Sequence, residues 1–219
     1  MIYREEMTFR DWVAVCEREP VLSPTVQAAR RVRMMDGAFY LDSRSPFITA
    51  DVASVTLAAT DKALYPKDNF PVLGGQYFNY IGKGLRIWLF GRVTTAATPG
   101  NGTFDIYYGT GADANGTILA SSGTVALSAS QTNLSWNIDV EVRCRSIGAT
   151  GTLFCTGQAN FNNAVIANTL QPLLIPASAP AASGAIDLTS ANIISVQFKR
   201  SGSTAETMQV HQMTVVSLN

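Results

Sequence analysis

Few residues in this chain could do covalent or metal chemistry, and their spacing limits each of them. The one histidine, His211, excludes any site built from several histidines. It lies between Val210 and Gln212, and strict alternation puts it on the face of Gln209, Met213 and Val215. A general base needs a nucleophile to act on, yet no Gly-x-Ser-x-Gly turn and no acidic residue at recognisable spacing accompany the histidine. The three cysteines, Cys16, Cys144 and Cys155, lack paired metal-ligand spacing, and their odd count fits reduced thiols better than a disulfide framework. A hairpin turning at residues 148–151 would set Cys144 and Cys155 close to opposite one another. They are then adjacent buried thiols or, in an oxidising medium, a cross-strand disulfide.

The run from Gly109 to Thr117 is glycine-rich, but it lacks the terminal Lys-Ser/Thr of a phosphate loop, and Thr124 stands where a calcium loop needs a glutamate. It reads as a β-connection. The Asn-x-Ser/Thr triplets at Asn101, Asn115 and Asn133 carry no weight without a secretory signal, which the amino-terminal residues do not provide. Asp139 and Glu141 share one strand face with Arg143 and Arg145. Catalytic carboxylates usually oppose each other across a cleft, so these four residues read as a solvated face or a charged seam between subunits. Trp88 and Phe90 alternate with Arg86 and Arg92, which suggests a strand covered on both faces or an exposed aromatic patch. With no nucleophile, acid and base constellation, the chain is expected to be non-enzymatic and to need no cofactor or metal.

Positioning falls to β-strands. From Leu134 to Arg145 the alternation holds for twelve residues, with Leu134, Trp136, Ile138, Val140, Val142 and Cys144 on one face. Further strands are expected at residues 52–58, 85–94, 103–108, 117–120, 124–127, 152–158, 169–175, 193–199 and 207–216, separated by turn residues such as Pro99-Gly-Asn-Gly and Asn115-Gly. Residues 176–184 read as a surface connection, because their prolines cannot donate to a ladder. Covering the Trp136 face calls for a second sheet. The expected fold is therefore all-β: an antiparallel β-sandwich over residues 51–219, in jelly-roll form, with an immunoglobulin-like sandwich as the alternative.

Residues 1–50 differ in character. They hold seven basic and seven acidic side chains, against nine of each in the other 169 residues. This amino-terminal arm is expected to be partly helical and partly extended, with helical segments at about 8–19 and 24–36. Thr8 caps the first, whose apolar stripe is Phe9, Trp12, Val13 and Cys16; Ser23-Pro24 opens the second and Gly37 stops it. The stripe packs on the chain's own β domain, or else it reaches a neighbouring subunit. Arg30, Arg31 and Arg33 form a solvated face or meet an acidic partner.

Overall, 16 basic residues balance 16 acidic ones, which argues against a dedicated nucleic-acid binder. Only 15% of residues are charged and mean hydropathy is +0.12, yet no apolar run is long enough to span a membrane as a helix. A soluble chain this apolar is expected to bury surface against other subunits.

Several phrases carry a family resemblance: Thr56-Leu-Ala-Ala-Thr-Asp-Lys-Ala-Leu-Tyr-Pro, Gly82-Lys-Gly-Leu-Arg-Ile, Phe104-Asp-Ile-Tyr-Tyr-Gly, Ser135-Trp, Arg143-Cys-Arg-Ser-Ile-Gly and Val210-His-Gln-Met. Over residues 52–217 the chain resembles structural proteins of tailed bacteriophages. The resemblance implies a virion component made in the host cytoplasm and assembled in symmetric copies, and it brings no functional residues with it. The expectation is a capsid decoration or cement protein. Its partners would be itself, as a homotrimer or other symmetric oligomer, and the major capsid protein or other virion proteins, with no direct nucleic-acid or membrane contact. The alternative is a tail-fibre or baseplate module that binds host glycans through Trp88, Tyr107 or Tyr108.

Overall fold

The computed structural model describes residues 51–219, apart from residues 71, 76, 167–170, 203, 204 and 219. The expected arm helices, with Phe9, Trp12, Val13, Arg30, Arg31 and Arg33, lie outside the described residues. Eleven strands are described: β1 (Val55–Thr56), β2 (Lys62–Ala63), β3 (Gly84–Thr94), β4 (Asn101–Gly109), β5 (Thr117–Ser121), β6 (Val125–Ala126), β7 (Leu134–Ser146), β8 (Thr152–Phe161), β9 (Leu173–Ile175), β10 (Ile193–Arg200) and β11 (Thr207–Leu218). The only helical element among the described residues is a single 3-10 turn, Lys67–Asn69.

The strands form two antiparallel sheets. The larger runs β1-β11-β3-β7-β8-β9 and the smaller β2-β10-β4-β5, with β6 also paired to β4. Together they make the expected β-sandwich. In each sheet a late strand sits between two early ones, β11 between β1 and β3 and β10 between β2 and β4. β7 sits between β3 and β8 and alternates as its sequence demands, with Trp136, Ile138, Val140, Val142 and Cys144 all buried.

The two inner faces meet at four rings. Trp136 of β7 and Phe161 of β8 come from the larger sheet, and Phe104 of β4 and Phe198 of β10 from the smaller. The Phe104 centroid lies 5.6 Å from Trp136, 5.5 Å from Phe161 and 4.8 Å from Phe198. These separations fall in the attractive range for ring pairs, here one tilted, one stacked and one edge-on. Glycines make room for two of the rings. A Cβ on Gly91 would stand 2.7 Å from the Trp136 indole and 2.0 Å from the Gln209 carbonyl, and one on Gly102 would stand 2.1 Å from the Phe198 ring. Trp136 settles on Gly91 and donates its indole N–H to the Arg92 carbonyl at 3.0 Å, so its polar edge is satisfied.

Opposite Gly91 the ladder slips. β11 bulges between Val210 and Gln212, leaving His211 as the extra residue. Before the bulge the buried residues are Met208 and Val210, and after it Met213 and Val215. Strict alternation through His211 therefore fails: the histidine does not share the face of Met213 and Val215. A second slip lies between Cys144 and Ser146. It shifts the hairpin register, so that Cys144 faces Leu153 and Cys155 faces Val142. The two thiols share the inner face as free, buried neighbours on a diagonal, not as directly opposed residues.

Some expected strands shorten. Of residues 52–58 only Val55–Thr56 pair as a strand, although Val52 and Leu57 still donate to the carbonyls of Val210 and Glu206. Of residues 169–175 only Leu173–Ile175 pair among the described residues, and Pro172, which has no N–H, marks the boundary. The two-residue β2 was not expected. Residues 176–184 form the surface connection, touching the sheet through a bridge between Ala182 and Phe154.

Replacing Phe104 by alanine is expected to cost about 3 to 5 kcal/mol in urea denaturation, whereas alanine at Ile118, 43% exposed, should cost less than about 0.5 kcal/mol. Burial pushes the Cys155 thiol up to about 12 and also raises that of Cys144. Alkylation followed by peptide mass spectrometry should therefore label both only after unfolding, with no mass change on reduction.

Candidate interaction surface

The outer face of the larger sheet gathers the charged and aromatic residues singled out in the sequence. β3 contributes Arg86, Trp88, Phe90 and Arg92; β7 contributes Ser135, Asn137, Asp139, Glu141 and Arg143. The strand register aligns them in rows. Trp88 faces Asp139, which faces Gln158 of β8, which faces Leu174 of β9. Phe90 faces Asn137, which faces Asn160.

The charges in this face are largely matched within the chain. Arg86 grips Asp139 with two parallel donors, Nε at 2.8 Å and Nη2 at 2.5 Å. The same guanidinium lies over the Trp88 ring, 4.2 Å from its centroid. Glu141 pairs with Arg143 along its own strand, and Arg145 lies over the Phe154 ring at 4.5 Å. Partial burial raises the Asp139 pKa, but hydrogen bonds from Arg86 and Trp88 and the Arg86 charge outweigh it and hold the carboxyl below its ordinary value. Arg86 is raised in turn, mainly by its hydrogen bond to Asp139.

Asp139, Glu141, Arg143 and Arg145 thus stand on one face, as their alternation requires, but two acid–base pairs already use up most of their charge. What the face leaves exposed is apolar as well as polar. Phe90 is 47% exposed and Leu174 62%. Tyr107 and Tyr108, the other aromatics weighed for glycan contact, are buried.

Beside Phe90 the bulge opens a depression of about 580 Å³, lined by Phe90, Arg92, Asn133, Ser135, Asn137, Gln209 and His211, with Gly91 and Trp136 as its floor. His211 does have an acidic partner here, Asp51, whose Oδ1 lies 2.6 Å from Nδ1. A separation of 160 residues hid that pair from any motif. Ser135 lines the same depression, and among the described residues no hydrogen bond joins its hydroxyl to His211. Nor do three His, Cys, Asp or Glu side chains converge on a metal-binding geometry among the described residues. No helix among them is long and apolar enough to cross a membrane.

A second cluster went unrecognised in the sequence. Asp61, Asp105, Tyr107, Ser121 and Lys199 meet on the outer face of the smaller sheet. The available signal was a carboxylate, Asp105, inside the otherwise apolar run Phe104 to Tyr108.

Asp139→Asn should lower stability by roughly 0.5 to 1 kcal/mol at pH 7, the scale of a partly exposed ion pair. Because the folded pKa of Asp139 is depressed, that stability exists above the unfolded value near 4 and fades as pH falls below it. Urea titrations of both proteins at pH 7 and pH 3 should show the gap closing in acid.

Compared with known proteins, the chain matches no family model, no curated protein and no solved structure.

Proposed function

We propose that the protein is a non-enzymatic structural component of a phage virion, a capsid decoration or cement protein whose β-sandwich binds neighbouring subunits and whose amino-terminal arm anchors it. The observation that carries this reading is the strand order. The first strand pairs with the last and the second with the last but one. This leaves β1-β11-β3-β7 in one sheet and β2-β10-β4-β5 in the other, with β8 and β9 added at one edge. Numbered as eight strands, those sheets run 1-8-3-6 and 2-7-4-5, an order that supports reading the sandwich as the double Greek key of a jelly roll. Jelly rolls recur in viral shells and in lectins, so the fold supports the reading by analogy, alongside the phage-like phrases of the sequence.

A further feature supports assembly. The outer face of the larger sheet is internally charge-matched and partly apolar, as a surface for protein contact would be. Copies arranged around a symmetry axis, as a homotrimer on the major capsid protein, would bury that surface and stabilise the shell mechanically. Localisation would be the virion, after assembly in the host cytoplasm.

The glycan-binding alternative, a tail-fibre or baseplate module, retains one specific support: the depression beside Phe90 combines an exposed ring with amide side chains. Trp88 serves it less well, because Arg86 lies over its ring.

Deleting residues 1–45 should leave a β domain with unchanged unfolding behaviour that no longer binds particles in a cosedimentation assay. Full occupancy after the deletion would count against an anchoring arm.

A further inference from the structure

The outer layer of the smaller sheet holds a pair of carboxyl groups that the interaction surface does not use. Asp61, just before β2, is 7% exposed, and Asp105, in the middle of β4, is fully buried. Tyr107 donates its hydroxyl to Asp61 Oδ2 at 2.8 Å. Ser121 donates to Asp105 Oδ1, and Lys199 Nζ lies 3.0 Å from Asp105 Oδ2. The remaining oxygen of Asp61, Oδ1, is buried with no hydrogen-bond partner, as is Asp105 Oδ2 apart from its ion pair. β10 brings the two carboxyl groups together: β2 and β4 flank it, Asp61 accepts from Tyr107 of β4, and Asp105 pairs with Lys199 of β10. Were both ionised, the one positive charge of Lys199 would leave a buried negative charge uncompensated, and Asp61 Oδ1 would stay buried without a partner. A single proton held between the two carboxyl groups removes the excess charge.

We propose that Asp61 and Asp105 share one proton, and that this proton is a pH-sensitive clamp fastening residues 61–65 and 110–116 onto the outer face of the smaller sheet. The clamped segments are linked to one another and to β10. Lys62 pairs with Asp113 at 2.7 Å, and Asp113 also accepts the Ala63 N–H. Gln197 of β10 accepts from the Ala114 N–H and donates to the Ala112 carbonyl. Tyr65 donates to the Ile194 carbonyl at 2.8 Å. Loss of Asp61 from its seat would be felt through Lys62 and Ala63 by the whole of this cover.

The charged and titratable groups facing Asp61 are Asp105 and Tyr107 from β4 and Lys199 from β10; β5 supplies only the Ser121 hydroxyl, and Lys62 turns away to Asp113. Burial, then the hydrogen bond with Asp105, raises the Asp61 pKa, against the opposing pull of Tyr107 and Lys199. A carboxyl in the unfolded chain ionises near pH 4, whereas Asp61 in the folded protein keeps its proton to higher pH. The clamp is therefore fully engaged below about pH 4 and released as pH rises through the elevated value.

Two measurements on the full chain test this. The side-chain carboxyl carbon of Asp61, followed by NMR, should titrate above the ordinary aspartate range. Urea unfolding of the wild type and of Asp61→Asn, from pH 4 to pH 8, should show the wild type losing ground as pH rises, because an asparagine amide can donate to Asp105 at every pH. The ratio of their unfolding constants should change about tenfold for each unit by which the pKa is raised. An ordinary Asp61 titration, or a constant ratio across the range, would overturn the proposal. So would an intact mass short by one water, since the Lys199 amine would then have condensed with the Asp105 carboxyl to an amide. The NMR titration stands even if the variant fails to fold.

Discussion

The contact on which the rest of the structure depends is the stack of Trp136 and Phe161 against Phe104 and Phe198. Each sheet contributes two rings from two neighbouring strands, so the cluster fixes the sheets both apart and in register. Its demands spread outward. Trp136 requires a glycine beneath it, and Gly91 faces β11 at the point where that strand bulges. The bulge ejects His211 from the alternation and opens the depression beside Phe90. The surface feature most like a ligand site is thus a consequence of how the core is packed.

The two outer faces solve their exposure differently. On the larger sheet, charge is neutralised at the surface by the Arg86–Asp139 and Glu141–Arg143 pairs, with arginines lying over Trp88 and Phe154. A face built this way is preorganised: a partner docking on it need not strip away unpaired charge. On the smaller sheet the outer face is roofed by its own chain. Ser195, Gln197 and Asp105 are buried there beneath residues 61–65 and 110–116, which explains why β10 reads as almost continuously buried despite its polar residues.

The strands were legible where periodicity was strong. β3, β7 and β11 stand within two residues of their sequence-derived bounds, because each buries one face against the sandwich and the period of two follows from that; β4 and β10 do so as well, bounded by turn residues, although both of their faces are largely buried. Legibility ended where pairing depends on a distant strand. The slip at His211 lies opposite Gly91, and Cys144 stands two residues away from opposition to Cys155 in a hairpin with a second slip beside Ser146, neither slip visible in local alternation. The Asp139 to Arg145 face was placed correctly, but its partner Arg86 lies 53 residues away, so its internal neutralisation could not be read. The Asp61 and Asp105 pair was missed for the same reason: two separate aspartates acquire meaning only when β10 brings their segments together.

The central functional claim is that this chain works as part of a particle. Cryo-electron imaging of intact virions carrying a bulky tag at the carboxyl terminus of this protein tests it most directly. The account requires extra density repeated symmetrically over the head surface. Density confined to the tail tip would favour the receptor-binding alternative and contradict the decoration reading, and virions lacking the protein altogether would contradict both.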